Sequence, residues 1–190
     1  MGLFFRPIMT KYTDIMIDHE TLGTSPDSAI ISIGAVRFNL DSNEIDDTAF
    51  YASISVDSNL AAGRKIDEST LLWWMKQSPE AQKVFHEPKM SLEAALTEFL
   101  DWFGPTDKDV RVWSNGADFD IPQLVNAMMY FGWEQPWKFY NNRCFRTFKS
   151  LPMAKRAKKP LAVVKHNALS DAIAQAQHAQ AIQDVLKGLK

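Results

Sequence analysis

The sequence predicts an α/β architecture: a single three-layer domain in which a mixed sheet carries helices on its faces. Three observations predict it. Three apolar, strand-like segments follow one another near the N-terminus, at 13–19, 29–39 and 49–55. Beyond them, helix-spaced and strand-like segments alternate. The 190 residues, 46% hydrophobic and 23% charged, suffice to bury one sizeable core without a disulfide or a structural metal.

The first segment, through Ile15, Met16 and Ile17, and the second, AIISIGAVRFN, read as strands. The acidic, turn-like LDSNEIDD leads into the third, so the three are expected to form an antiparallel meander. Ile66 to Lys76 and Pro79 to Phe85 read as helices. The next helix has a clear start at Ser91 and Glu93, an apolar face of Leu92, Ala95, Leu96, Phe99 and Leu100, and a stop near Gly104-Pro105. VRVWS at 110–114 is a short strand, and Ile121 to Phe131 has helical spacing at Leu124, Val125, Met128 and Met129. Residues 138–145 read as a final strand, 152–166 as a Lys/Arg/Pro-rich loop, and 168–187 as an Ala/Gln-rich helix. With no internal repeat or low-complexity linker, the expected organisation is an N-terminal extension at 1–12 and one domain over 13–190.

A lone cysteine, Cys144, excludes an internal disulfide framework and a Cys-rich zinc site, and suits a reducing compartment such as the cytoplasm. No apolar stretch approaches a membrane span, so no membrane association is expected. Gly2 does not signal lipidation, because residue 6 is Arg where acylation wants Ser or Thr. The net charge of −2 gives no global attraction to nucleic acid and leaves such contact to local patches. KRAKK at 155–159 is one, although most runs this short are solvated loops.

Asp18 and Glu20 close the first strand two positions apart. Alternation puts them on one face and His19 on the other. Acidic pairs are common on solvated surfaces, but this one ends a strand that reads as buried. There, repulsion and desolvation cost several kcal/mol unless a hard cation such as Mg²⁺ or Mn²⁺ is shared. In WSNGADFDIPQL a strand ends at Asn115-Gly116 and a helix begins near Phe119, with Asp118 and Asp120 both available; either can be an ordinary helix N-terminal acid. In HNALSDA, His166 and Asp171 on one helix would diverge by about 140°. His166 therefore belongs to the preceding loop, with Asn167 as cap and Asp171 in the first turns. Carboxylates from three segments with one histidine near neutral pKa suit two-metal phosphoryl transfer with a mobile base. His86 and His178 lack such company.

These segments together, Asp18-His19-Glu20-Thr21, Asn115 with Phe119-Asp120, and His166 with Asp171, resemble in order and spacing the three motifs of the DEDDh 3′-to-5′ exonucleases. LLWWMKQSPEA (71–81) and NNRCFRT (141–147) are similar to segments of the phage exodeoxyribonuclease A group and related bacterial exoribonucleases. The resemblance covers most of 13–183. Cys144 departs from it, standing where those relatives tend to carry Asp between two arginines.

The resemblance implies a ribonuclease H-like α/β/α fold with a central mixed five-stranded sheet. It implies Asp18, Glu20, Asp120 and Asp171 as ligands of two Mg²⁺ or Mn²⁺ ions, and His166 as general base, with activity rising through neutral pH. Thr21 and Leu22 would receive the terminal nucleotide; Asn115, Phe119, Arg143 and Arg146 join the expected substrate contacts, the arginines and the 155–159 run against phosphate. Trp74 joins them too, because base stacking on a ring is worth about 1 to 3 kcal/mol. Adjacent tryptophans point about 100° apart on a helix, so one can face the core and the other a cleft or a partner. The expected substrate is the 3′ end of single-stranded DNA, with RNA as the alternative, and the expected state is a monomer or homodimer. A noncatalytic nucleic-acid-binding module of the same fold is the competing reading.

Overall fold

Two-residue alternation along the first strand decides where each layer lies. In β1 (Asp14–Thr21), Ile15 and Ile17 point to one face of the sheet and Met16 to the other. The computed structural model describes residues 12–105, 109–162 and 164–188. The expected extension at 1–12 therefore lies almost wholly outside the described residues.

β1 pairs antiparallel with β2 (Ile30–Phe38), and β2 with β3 (Phe50–Ser53), which is the anticipated meander. On the other edge β1 pairs parallel with β4 (Arg111–Ser114), and β4 with β5 (Asn142–Cys144). The order is β3-β2-β1-β4-β5, a mixed five-stranded sheet. A buried clamp fixes the β1–β4 register. The Asp14 carboxylate accepts from Arg111 Nε and Nη2 (2.7 and 2.6 Å), Trp113 Nε1 (2.7 Å) and the Leu40 amide (3.2 Å).

Four short helices surround the sheet edges and ends: α1 (Val56–Ala61), α2 (Glu68–Trp74), α3 (Pro79–Gln82), and later α6 (Phe145–Ser150), while α4 (Leu92–Phe103) and α5 (Asp120–Tyr130) are longer. Leu92, Leu96 and Phe99 of α4 and Ile121 and Leu124 of α5 pack with Ile15 and Ile17. On the opposite face α7 (Ala168–Lys187) lays Ala172, Ala176, Ala179 and Ile182 on Met16, Val36 and Phe38. These small side chains let the helix axis approach the strands closely. A third cluster, Leu22, Ile31, Trp74, Ala81 and Val84, closes the end of the sheet under α2 and α3. No helix among the described residues is long and apolar enough to cross a membrane.

Three local expectations are corrected. The strand expected at 138–145 is a 3-10 turn at Phe139–Asn141 followed by three residues of β5, and α6 begins at Phe145. The reason is a cap: Cys144 Sγ accepts the Thr147 amide, ending the strand as an aspartate would. A second unexpected helix, α1, is capped by the Ser55 side chain. Within the expected loop after 152, Pro152–Arg156 forms a 3-10 turn.

Candidate active site

Because β1 and β4 run parallel and side by side, the segments leaving their C-terminal ends lie together. Asp18 and Glu20 stand on the α7 face of β1, and His19 turns inward beside Arg64, as alternation requires. Burial, then the Arg64 charge, pushes the His19 imidazole down to about 3, so it is neutral. Its amide donates to Asp120 Oδ1 (3.0 Å), which ties the first residue of α5 to β1. Of the two aspartates in NGADFD, Asp120 is thus the one turned into the site; Asp118 is exposed.

α7 supplies the third segment. Asn167 caps it by accepting the Ser170 amide (3.0 Å), and Asp171 lies in the first turn. His166, just outside the helix, has φ +58°, a left-handed conformation that costs a non-glycine residue about 1 kcal/mol or more. Its amide donates to Asp171 Oδ2 (2.9 Å), which holds that bend. The helix reaches this depth because its first turn crosses β2 at Gly34, the cross-strand partner of Asp18. A Cβ there would stand 2.3 Å from the Ala168 carbonyl carbon. One turn after Asp171, Gln175 donates Nε2 to Asp18 Oδ1 (2.7 Å).

Donor atoms of Glu20, His166 and Asp171 lie within 4.8 Å of one another. Burial, then the charges of Asp120, Glu20 and Asp171, raises the Asp18 carboxyl well above the usual carboxylate range. Burial and the Asp171 and Asp120 charges push Glu20 up to about 8, and burial pushes Asp120 up to about 7. Asp171 is raised too, again first by burial. Oxygen donors this crowded suit a hard divalent cation, whose charge would remove the repulsion; the residues present fit Mg²⁺ or Mn²⁺.

Two cavities meet at Glu20 and His166. One, of about 560 Å³, is bounded by Thr21, Ser69, Thr70, Trp73, Phe119 and Arg146. The other, of about 660 Å³, lies under residues 154–162 and 165–166, against Asn115 and Gln175. Of the expected substrate contacts, Thr21, Trp74, Phe119, Arg146 and Asn115 line these spaces. Arg146 also donates to the Asn115 carbonyl (2.9 Å).

Leu22 lines neither space, and Trp74 meets the smaller one only from a buried position. Both are 2% exposed and packed in one cluster, and Trp74 Nε1 donates to the Thr21 carbonyl (2.8 Å). The open ring is Trp73, 42% exposed and 4.9 Å edge-on from the His166 imidazole. Arg143 lines neither cavity and donates to the Tyr140 and Asn142 carbonyls. Sequence reasoning missed Gln175, although its position one helical turn beyond Asp171 was a usable signal. It also missed Gly34, for which a lone glycine inside a strand was the only sign.

A mixed sheet in this order, with helices on both faces, is the ribonuclease H-like fold. The fold matches Escherichia coli exonuclease I, solved zinc-bound with single-stranded DNA, at TM-score 0.65 and 14% identity over 92% of this chain and 41% of that one. This chain thus spans about two-fifths of exonuclease I. It also matches Mg²⁺- and Mn²⁺-bound Schizosaccharomyces pombe Pop2p at TM-score 0.63 and 14% identity, over 93% and 85% of the two chains. In sequence it is 28% identical over 158 residues to the exodeoxyribonuclease of Enterobacteria phage T4, covering 70% of this chain and 69% of the phage protein. Residues 13–183 match the 3′-5′ exoribonuclease Rv2179c-like domain, and the chain belongs to that family.

Proposed function

We propose that the chain is a divalent-metal-dependent 3′-to-5′ exonuclease that releases nucleoside 5′-monophosphates from single-stranded nucleic acid, DNA in preference to RNA. The observation that carries this is the convergence of carboxylates from β1, α5 and α7 beside His166. Asp18, Glu20, Asp120 and Asp171 would hold two Mg²⁺ or Mn²⁺ ions. When bound, such ions supply Lewis-acid charge to the scissile phosphate and the oxygens around it.

His166 takes the proton of the attacking water. The water oxygen bonds to phosphorus, the bond to the 3′ oxygen of the neighbouring nucleotide breaks, and that oxygen leaves as the new 3′ hydroxyl once protonated. The left-handed bend at His166 and its bond to Asp171 aim the imidazole at the same end of the sheet as the carboxylates. Thr21, Phe119 and the open face of Trp73 would bound the terminal nucleoside, and Arg146 would meet phosphate.

The likeness to the phage exodeoxyribonuclease supports DNA. RNA is the second reading, favoured by the exoribonuclease name of the family model. A time course with 5′-labelled single-stranded DNA and RNA of one sequence tests both, run with Mg²⁺, Mn²⁺ or EDTA beside Asp18→Ala and His166→Ala. A metal-dependent ladder shortening from the 3′ end, abolished in Asp18→Ala, is expected. Cleavage of neither strand favours the noncatalytic binding module, and near-native activity of His166→Ala removes the general-base role.

A further inference from the structure

The two cavities that meet at Glu20 and His166 differ in chemistry. Hydroxyls and rings wall the smaller one, with Arg146 as its cation. The larger one carries Lys149, Lys155, Lys159 and Lys165. None of these four lysines forms a salt bridge among the described residues. Lys149 is held in place, its Nζ donating to Asn115 Oδ1 (2.8 Å) and lying 5.1 Å over the Phe145 ring. Burial, then the neighbouring Arg146 and Lys159 charges, lowers the Lys149 ammonium, a sign of positive charge packed against positive charge.

A strand bound for removal of its 3′ nucleotide is asymmetric about the scissile bond. On one side lies a single nucleoside, with no further phosphate. On the other, each nucleotide adds one more negative charge. We propose that the lysine-lined cavity receives the departing strand, its first two or three phosphates meeting Lys149, Lys155 and Lys159, while the terminal nucleoside occupies the hydroxyl- and ring-lined cavity. The placement rests on the exonuclease reading and adds to it a direction and a short footprint, set by Lys149 and by the basic run at 155–159 that the sequence offers only as part of a loop.

The test measures binding of fluorescein-labelled octathymidylate by anisotropy in Ca²⁺ across a KCl series, with the native protein and Lys155→Gln/Lys159→Gln. Each phosphate contact to a single strand contributes about 0.7 to the slope of log affinity against log salt, so the double variant is expected to lose about 1.4. Octamers with one uncharged methylphosphonate linkage probe the same contacts with the protein unaltered. They are expected to bind more weakly when the neutral linkage is among the first few on the 5′ side of the terminal one, and normally when it is farther away. An unchanged slope in the variant, or equal affinity for all the methylphosphonate octamers, overturns the placement. Failure of the native protein to shorten either this octamer or its octauridylate counterpart in Mg²⁺ or Mn²⁺ is a separate result, and it overturns the exonuclease reading beneath.

Discussion

Replacing Gly34 by alanine adds one carbon where α7 crosses the sheet, and the structure sets the size of the disturbance. That carbon would lie 2.3 Å from both the Ala168 carbonyl carbon and the Leu169 nitrogen, and 2.5 Å from the Ala168 oxygen, whereas ordinary contact begins near 3.4 Å. All three neighbours are backbone, so no rotamer change relieves the clash. The first turn of α7 has to withdraw by about 1 Å, the difference between those distances. Asp171 and His166 ride on that turn, and a misplacement of about 1 Å can cost on the order of 10²-fold in rate. Gly34→Ala is therefore expected to slow single-turnover release of the terminal nucleotide about 100-fold, with overpacking lowering stability by about 1 to 3 kcal/mol. Gly188→Ala, whose added carbon meets nothing nearer than 3.5 Å, serves as the control and should behave as the native protein. Turnover by Gly34→Ala within threefold of native would refute the claim that this close approach positions the site.

Asp14→Ala leaves the Arg111 guanidinium, the Trp113 indole and the Leu40 amide without their acceptor; a loss of about 3 to 5 kcal/mol is expected in urea unfolding, and a loss under 1 would count against the clamp. Without cations, the raised carboxyls of Glu20 (about 8) and Asp120 (about 7) favour the folded state fully only below their ordinary values near 4, and that contribution is lost as pH rises through 7 and 8. Thermal melting in EDTA should thus fall from pH 5 to 8, and the rise in Tm on adding Mn²⁺ should grow over the same window; a Mn²⁺ shift independent of pH contradicts the crowding. The adjacent tryptophans should separate: Trp73→Ala is expected to raise KM roughly 5- to 100-fold with little change in Tm, since stacking is worth about 1 to 3 kcal/mol, whereas Trp74→Ala should cost about 3 to 5 kcal/mol of stability. Equal effects of the two on KM would dissolve the distinction.

The layers were legible because β1 states them twice, in apolar alternation and in the carboxylates that continue it past Met16. The helix bearing Asp171 announced itself through Asn167 and its alanine stripe, and the short spacing from His166 placed the histidine outside it. What escaped has short-range or purely spatial causes. α1 and α6 are six-residue helices started by Ser55 and Cys144, too brief for periodicity to register. Which tryptophan is open depends on how α2 is rotated against Leu22 and Ile31, a tertiary fact no local pattern carries. The clamp at Asp14 joins residues 97 and 99 positions apart, and Gly34 matters only because of a helix encoded more than a hundred residues later.

The bond from Gln175 to Asp18 spans 157 positions, so the first strand waits for the seventh helix before the carboxylates meet. At about 5 to 20 residues per second on a ribosome, that wait lasts roughly 8 to 30 s. During it Met16, Val36 and Phe38 lack the cover of α7, and the growing polypeptide carries only part of its acidic set. The acidic set is thus completed in one late step, when α7 docks.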